Sequence, residues 1–257
     1  MSKISAIAGK ELKGFFFSPN FYIVCFMCTA IFSYVYPISF GQFMDAGRNM
    51  MFGGGSPQQQ NIHYMVFIRQ LSYLNLMLIF VVPALTMRLF AEEKKMRTFD
   101  LLLTSPVTSF EIVLGKYLAA LGAVAGITFL AMSYPLVSTL SVEKISWASF
   151  GISFLGVFLL GAVYAAMNMF CSSLTESAIV AYVMAVVLNV SIWFIGMAAE
   201  VVDGATARQV FEHLSLNAHL GSLVEGTVRT NSLVFFGSLI FLFCFLCERV
   251  VESLRWR

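Results

Sequence analysis

Two cysteine pairs at metal-ligand spacing, Cys25 with Cys28 and Cys244 with Cys247, are the residues of this 257-residue chain that first suggest chemistry. Four thiolates in C-x-x-C pairs can hold zinc. Each pair is embedded in Phe, Met and Leu, without a basic neighbour or turn to lower the thiol pKa, so small apolar filler is the better account. The histidines His63, His213 and His219 lack ligand-like spacing. No G-x-S-x-G run offers a hydrolase nucleophile, and no G-x-x-x-x-G-K-[ST] run cradles nucleotide phosphates. The expectation is no catalytic residue, no metal and no cofactor in the chain. ATP and Mg would act only through another subunit.

What remains is the placement of charge. From Arg88 the chain sets acidic Glu92 and Glu93 before basic Lys94, Lys95 and Arg97, while Phe99, Leu101, Leu102 and Leu103 supply an apolar face. A short helix here would offer charge to water and apolar surface to a partner. Asp100 adds a further acid, and Ser105-Pro106 is expected to end the element. Thr108-Ser109-Phe110-Glu111 then fits a capping box that would stiffen entry into the next helix. Ser173, Thr175 and Glu176, in Ser173-Leu174-Thr175-Glu176, fit the same pattern at a second turn, where helix capping alone is the simpler reading.

The elements that must hold these residues are apolar. Hydrophobic residues make up 59% of the chain and charged residues 12%, too little polar surface for a soluble globule of this length. A net charge of +2 gives no sign of nucleic acid. Spans of bilayer length fall at Phe21 to Phe40, Met65 to Leu89, Tyr117 to Leu140, Trp147 to Cys171, Ser177 to Ala199 and Ser232 to Cys247. Six spans put both termini on one side. That side collects Lys3, Lys10, Lys13, Arg88, Lys94, Lys95, Arg97, Lys116, Arg249, Arg255 and Arg257, against Arg48, Arg69, Lys144, Arg208 and Arg229 opposite, which favours cytoplasmic termini.

Ile4, Ile7, Leu12 and Phe15 recur at helical spacing among Lys3, Lys10 and Lys13, with no small-residue cleavage site after them. This reads as an uncleaved interfacial helix, with Ser18 as N-cap and Pro19 at the first position of the next helix. Gly53 to Asn61 reads as a flexible polar outer loop. Between Glu200 and Asn231 the chain is too apolar for a solvated linker and is broken by Gly204, Gly221 and Gly226. Helices dipping back into the bilayer and an amphipathic cap on the helix ends both fit that pattern. Asn75, Asn168 and Asn189 interrupt the spans and are expected to hydrogen-bond between helices. Gly122 with Gly126 forms a small-x-x-x-small face, and Gly151, Gly156 and Gly161 permit close approach; internal packing and dimerisation explain them equally.

Three stretches carry a resemblance: Met87-Arg88-Leu89-Phe90-Ala91-Glu92-Glu93, Arg97-Thr98-Phe99-Asp100-Leu101-Leu102-Leu103-Thr104-Ser105-Pro106-Val107, and Ile112-Val113-Leu114-Gly115-Lys116. Together they resemble the ABC-2 type permeases, in particular the six-span subunits of the gliding-motility and nitrous-oxide-reductase maturation type. Members commonly have Gly near Met96 and Glu at Asp100, where this chain departs. The resemblance implies an all-α membrane domain over residues 1–257 with a coupling helix between spans 2 and 3, seated in a groove of a separate cytoplasmic ATP-binding subunit. It implies a second permease copy or paralogue as partner, an extracytoplasmic envelope protein as a further one, and the bacterial inner membrane as location. Glu92, Glu93, Lys94, Arg97, Asp100, Leu101, Leu102, Thr108 and Glu111 are the expected ATPase-coupling residues. Leu216, His219, Leu223 and Glu225 are the expected outer gate. A membrane scaffold without a substrate path and a secondary carrier are the alternatives; few buried charges speak against the carrier.

Overall fold

In the computed structural model, one helix that is apolar on every side forms the axis around which the others pack. The structure describes residues 3–51, 66, 68–99, 107–138, 147–202 and 204–255. The Gly53 to Asn61 loop, His63, Lys144 and Asp100 to Pro106 lie outside the described residues. In chain order the helices are α1 (Lys3–Phe17), α2 (Pro19–Met51), α3 (Arg69–Thr86), α4 (Arg88–Lys95), α5 (Ser109–Ser138), α6 (Trp147–Leu174), α7 (Ala178–Val201), α8 (Ala205–Leu214), α9 (Leu216–Val224) and α10 (Thr230–Leu254). No strand occurs among the described residues.

Among the described residues, six helices are long and apolar enough to cross a membrane: α2, α3 continued by α4, α5, α6, α7 and α10. They divide by burial. Within the spanning stretch, 61% of the second, third and fourth is buried, against 17% of the first, fifth and sixth. The core therefore belongs to the middle three, and the outer three turn most of their apolar side chains to the surroundings. α6 is the axis, with Val157, Leu160, Val163, Tyr164, Ala166 and Met167 fully enclosed.

Glycines let neighbours reach that axis and each other. A Cβ on Gly161 would lie 2.6 Å from Val124 Cγ1, and one on Gly122 would lie 2.5 Å from Leu12 Cδ1. Gly115 faces Ile7 in the same way, while Gly126 faces the Phe21 ring. The small-residue face of α5 is thus filled from within by α1 and the start of α2. Ser18 separates α1 from α2, and α2 begins at Pro19 as the residue types require.

Several boundaries differ from expectation. α2 runs on to Met51, through Gly41 and Gly47, because no proline follows Phe40 in that stretch. α10 continues past Cys247 to Leu254, its Glu248 and Arg249 paired at 3.2 Å. The capping box at Ser173 does not form. α6 persists through Leu174, Ser173 Oγ donates to the Phe170 carbonyl at 2.7 Å, and α7 starts only at Ala178. Thr175 Oγ1 instead accepts from the Ser177 amide at 3.2 Å, closing the turn between the two helices.

Candidate coupling site and outer hairpin

The charged element opens at a bend. α3 stops at Thr86 and α4 starts at Arg88, with Met87 between them. The buried Ser172 hydroxyl of α6 is wedged there: it donates to the Met87 carbonyl at 2.9 Å and accepts from the amides of Phe90 and Ala91, each at 3.2 Å. A hydroxyl that supplies partners to a helix's first turn fixes where the helix bends. Arg88 is held from the other side. Asn20, its amide turned to present oxygen, accepts from the two terminal guanidinium nitrogens at 3.0 and 2.7 Å.

α4 closes earlier than expected. The Arg97 amide bonds the Lys94 carbonyl at 3.1 Å and the Thr98 amide bonds the Glu93 carbonyl at 3.0 Å, a Schellman stop. Arg97 occupies the left-handed position with φ 54°, where glycine is the unstrained residue. The helix therefore ends at Lys95, well before Ser105-Pro106. Phe99 then turns inward, edge-on to Phe90 with centroids 6.0 Å apart.

The expected coupling residues separate into two groups. Glu93 and Lys94 face inward. Glu93 Oε2 lies 2.9 Å from Lys116 Nζ, and Lys94 Nζ donates to the Ser173 carbonyl at the end of α6 while standing 5.9 Å from the Phe99 ring centre. Glu92 and Arg97 are exposed, as are Lys95 and Met96. Asp100, Leu101 and Leu102 lie outside the described residues. The Thr108 box does form: the Thr108 amide donates to Glu111 Oε2 at 2.9 Å and the Glu111 amide donates to Thr108 Oγ1 at 3.2 Å. Ser109 Oγ donates to Glu252, and Arg255 donates to the Val107 carbonyl, so the end of α10 braces the same turn.

A residue outside the expected set lies at the centre. Lys116, on α5, is 1% exposed and reaches Glu93 of α4, Glu11 of α1 at 3.3 Å and the Leu89 carbonyl at 2.6 Å. Lys10 approaches Glu11 and Glu93 from outside at 3.7 and 3.9 Å. A cavity of about 300 Å³ opens beside this cluster, between the α1–α2 junction and α4, with Arg88, Glu92 and Asn20 in its wall. The sequence signal was present in two isolated pieces: a lysine inside an apolar run, and a glutamate on the apolar flank of the first helix.

At the opposite end, α9 is inserted against α6. Gly226 meets Ser149, Ser153 Oγ donates to the Val224 carbonyl at 2.9 Å, and Leu223 fills the groove at Gly156. Deeper still, Asn75 Nδ2 donates to Asn217 Oδ1 at 2.7 Å, and the Tyr164 hydroxyl donates to Asn75 Oδ1 at 3.3 Å. Gly156 lies roughly 13 Å along α6 from Trp147 at 1.5 Å per residue. α9 therefore packs into the bundle with its N-terminus deepest. α8 is the surface piece, exposed and carrying an Arg208–Glu212 pair at 2.8 Å.

Of the expected gate residues, Leu216, His219 and Leu223 are buried and Glu225 is exposed at the end of α9. His219 stacks on Phe235 at 4.2 Å, its Nε2 3.0 Å from the His213 carbonyl and its Nδ1 3.1 Å from Ser232 Oγ. A carbonyl only accepts, so Nε2 carries a proton. Asn189 joins α7 to the Ile79 carbonyl at 3.2 Å, as expected of a span asparagine. Asn168 does not behave so: it is buried and neither of its amide atoms has a hydrogen-bond partner among the described residues.

Apolar helices of membrane length, with a charged helix fastened at one end and a short helix inserted at the other, define a multi-pass membrane protein. The sequence model described as ABC-2 family transporter protein matches residues 5–246. The chain belongs to that family and is a permease component of an ABC transporter. A search of curated proteins finds no match to it.

Proposed function

We propose that the chain couples ATP hydrolysis by a separate cytoplasmic ATP-binding subunit to export of a substrate, or to mechanical work on an envelope partner. Two permease copies, or this chain with a paralogue, would form the working unit in a bacterial inner membrane with both termini cytoplasmic. The supporting observation is the division of α4 into two faces. Its inner face is tied down by Glu93 and Lys94, and its outer face leaves Glu92, Lys95 and Arg97 exposed around Met96, which is 67% exposed. Met and Arg, both exposed on this face, are residue types enriched at protein interfaces. The concentration of Lys10, Arg88, Lys95 and Arg97 at this end supports its cytoplasmic placement. Nothing in the sequence offers a phosphate cradle, so catalysis, ATP and Mg belong to the partner in this reading. α9, with Leu216, His219 and Leu223, serves as the outer gate.

Replacing Leu101 and Leu102 together by Asp tests the docking element. ATP turnover by the assembled complex is expected to vanish while membrane insertion persists. Normal turnover in that variant would refute the assignment.

A further inference from the structure

The Lys116 ammonium donates hydrogen bonds to two oxygens and stands in ion-pair contact with a third that accepts no hydrogen bond, the three coming from two elements other than its own. Glu11 Oε1 belongs to α1, whereas Glu93 Oε2 and the Leu89 carbonyl belong to α4. The stem passes over the Phe90 ring, whose centre is 5.1 Å from Nζ. A single cation thereby joins the first helix, the lever and the root of the third span. α1 has no buried residue of its own, so it depends on face contacts and this ion to follow its neighbours. Buried ion pairs add little net stability over apolar packing, but they fix one geometry and penalise every other.

We propose that Lys116 is a positioning residue for ATPase coupling: it makes α1, α4 and the cytoplasmic end of α5 move as a single body when the lever is displaced. The proposal rests on α4 belonging to the docking element. It adds which parts of the permease receive the displacement and through which atom. Packing at Gly115 and Gly122 sets where α1 lies on α5; the ammonium sets whether α4 shares that position.

The test uses the permease assembled with its ATP-binding subunit in lipid nanodiscs, with the five native cysteines replaced. Spin labels stand at exposed Lys13 and Thr98 in one sample, and at Thr98 and Ser253 in another, Thr98 being bonded to the end of α4. Between nucleotide-free and ATP-vanadate-trapped states, the first distance is expected to stay fixed and narrow while the second changes. In Lys116→Met the first distribution broadens, and ATP turnover falls at least tenfold with KM for ATP and subunit retention unchanged. Lys116→Arg, which keeps the charge, recovers the narrow distribution. Should Lys116→Met fail to fold, Glu11→Gln leaves Glu93 on the lysine and is expected to loosen α1 alone. A narrow Lys13–Thr98 distribution with normal turnover in Lys116→Met, or a narrow one in Glu11→Gln, overturns the proposal. A wild-type permease that retains no ATP-binding subunit overturns instead the docking reading beneath it, and the coupling role with it.

Discussion

The lever end and the inserted hairpin are fastened by different physics. Around α4 charge is added to the neutral Ser172 wedge: Lys116 with Glu93 and Glu11, and Lys94 on the Ser173 carbonyl. Around α9 the contacts are neutral: amide to amide at Asn75 and Asn217, hydroxyl to carbonyl at Ser153, and side chains seated in glycine grooves. Coulomb attraction weakens slowly with distance, whereas a packing contact is lost within about an ångström. A lever held by charge can shift slightly and stay attached. A hairpin held by fit is either seated or released.

Substitutions at the two ends should expose that contrast. The largest effect is expected from Glu93→Ala, which removes the nearest counter-charge of an enclosed lysine but leaves Glu11 on it, and should cost about 2–3 kcal/mol in thermal unfolding. The exposed neighbour Glu92→Ala should stay within about 0.5 kcal/mol. Equal losses in the two would show that burial does not set the strength of the charge cluster. Next comes Gly156→Val, where even the new Cβ would sit 2.8 Å from Leu223 Cβ; overpacking of this kind costs about 1–3 kcal/mol. Hydrogen exchange should rise in α9 and remain unchanged in α4, and a rise in both would mean the ends are not independent. Arg97→Gly should gain about 1 kcal/mol by relieving the left-handed residue. A loss there would mean the arginine side chain outweighs its backbone strain. The smallest signal belongs to an Asn75→Ala, Asn217→Ala cycle, with a coupling of about 0.6 kcal/mol.

How much of this was readable beforehand depends on the range of the contacts. The spans, the Ser18-Pro19 junction and the Thr108–Glu111 box are local, set by hydropathy or by residues three apart, and all appear in the structure. The same local pattern misled at Ser173, because α6 is apolar enough to run through the expected cap and leave Ser173 in its last turn. Arg97 hid the end of α4, since a residue other than glycine at a left-handed stop carries no sequence signal. Lys116 and Glu11 are 105 positions apart, Ser172 and Phe90 are 82 apart, and only the packed bundle brings either pair together. Half of the lever was thus legible as a surface, and its internal fastening was not.

The Ser172 wedge has a mechanical corollary. A continuous helix transmits thrust along its axis and resists being tilted, because tilting strains its own ladder. Here a hydroxyl borrowed from α6 pins the amides at the corner, so α4 is tied to α6 as well as to α3. A load placed on α4 would pass sideways into α6 through Ser172 and Lys94 before it passed along the second span.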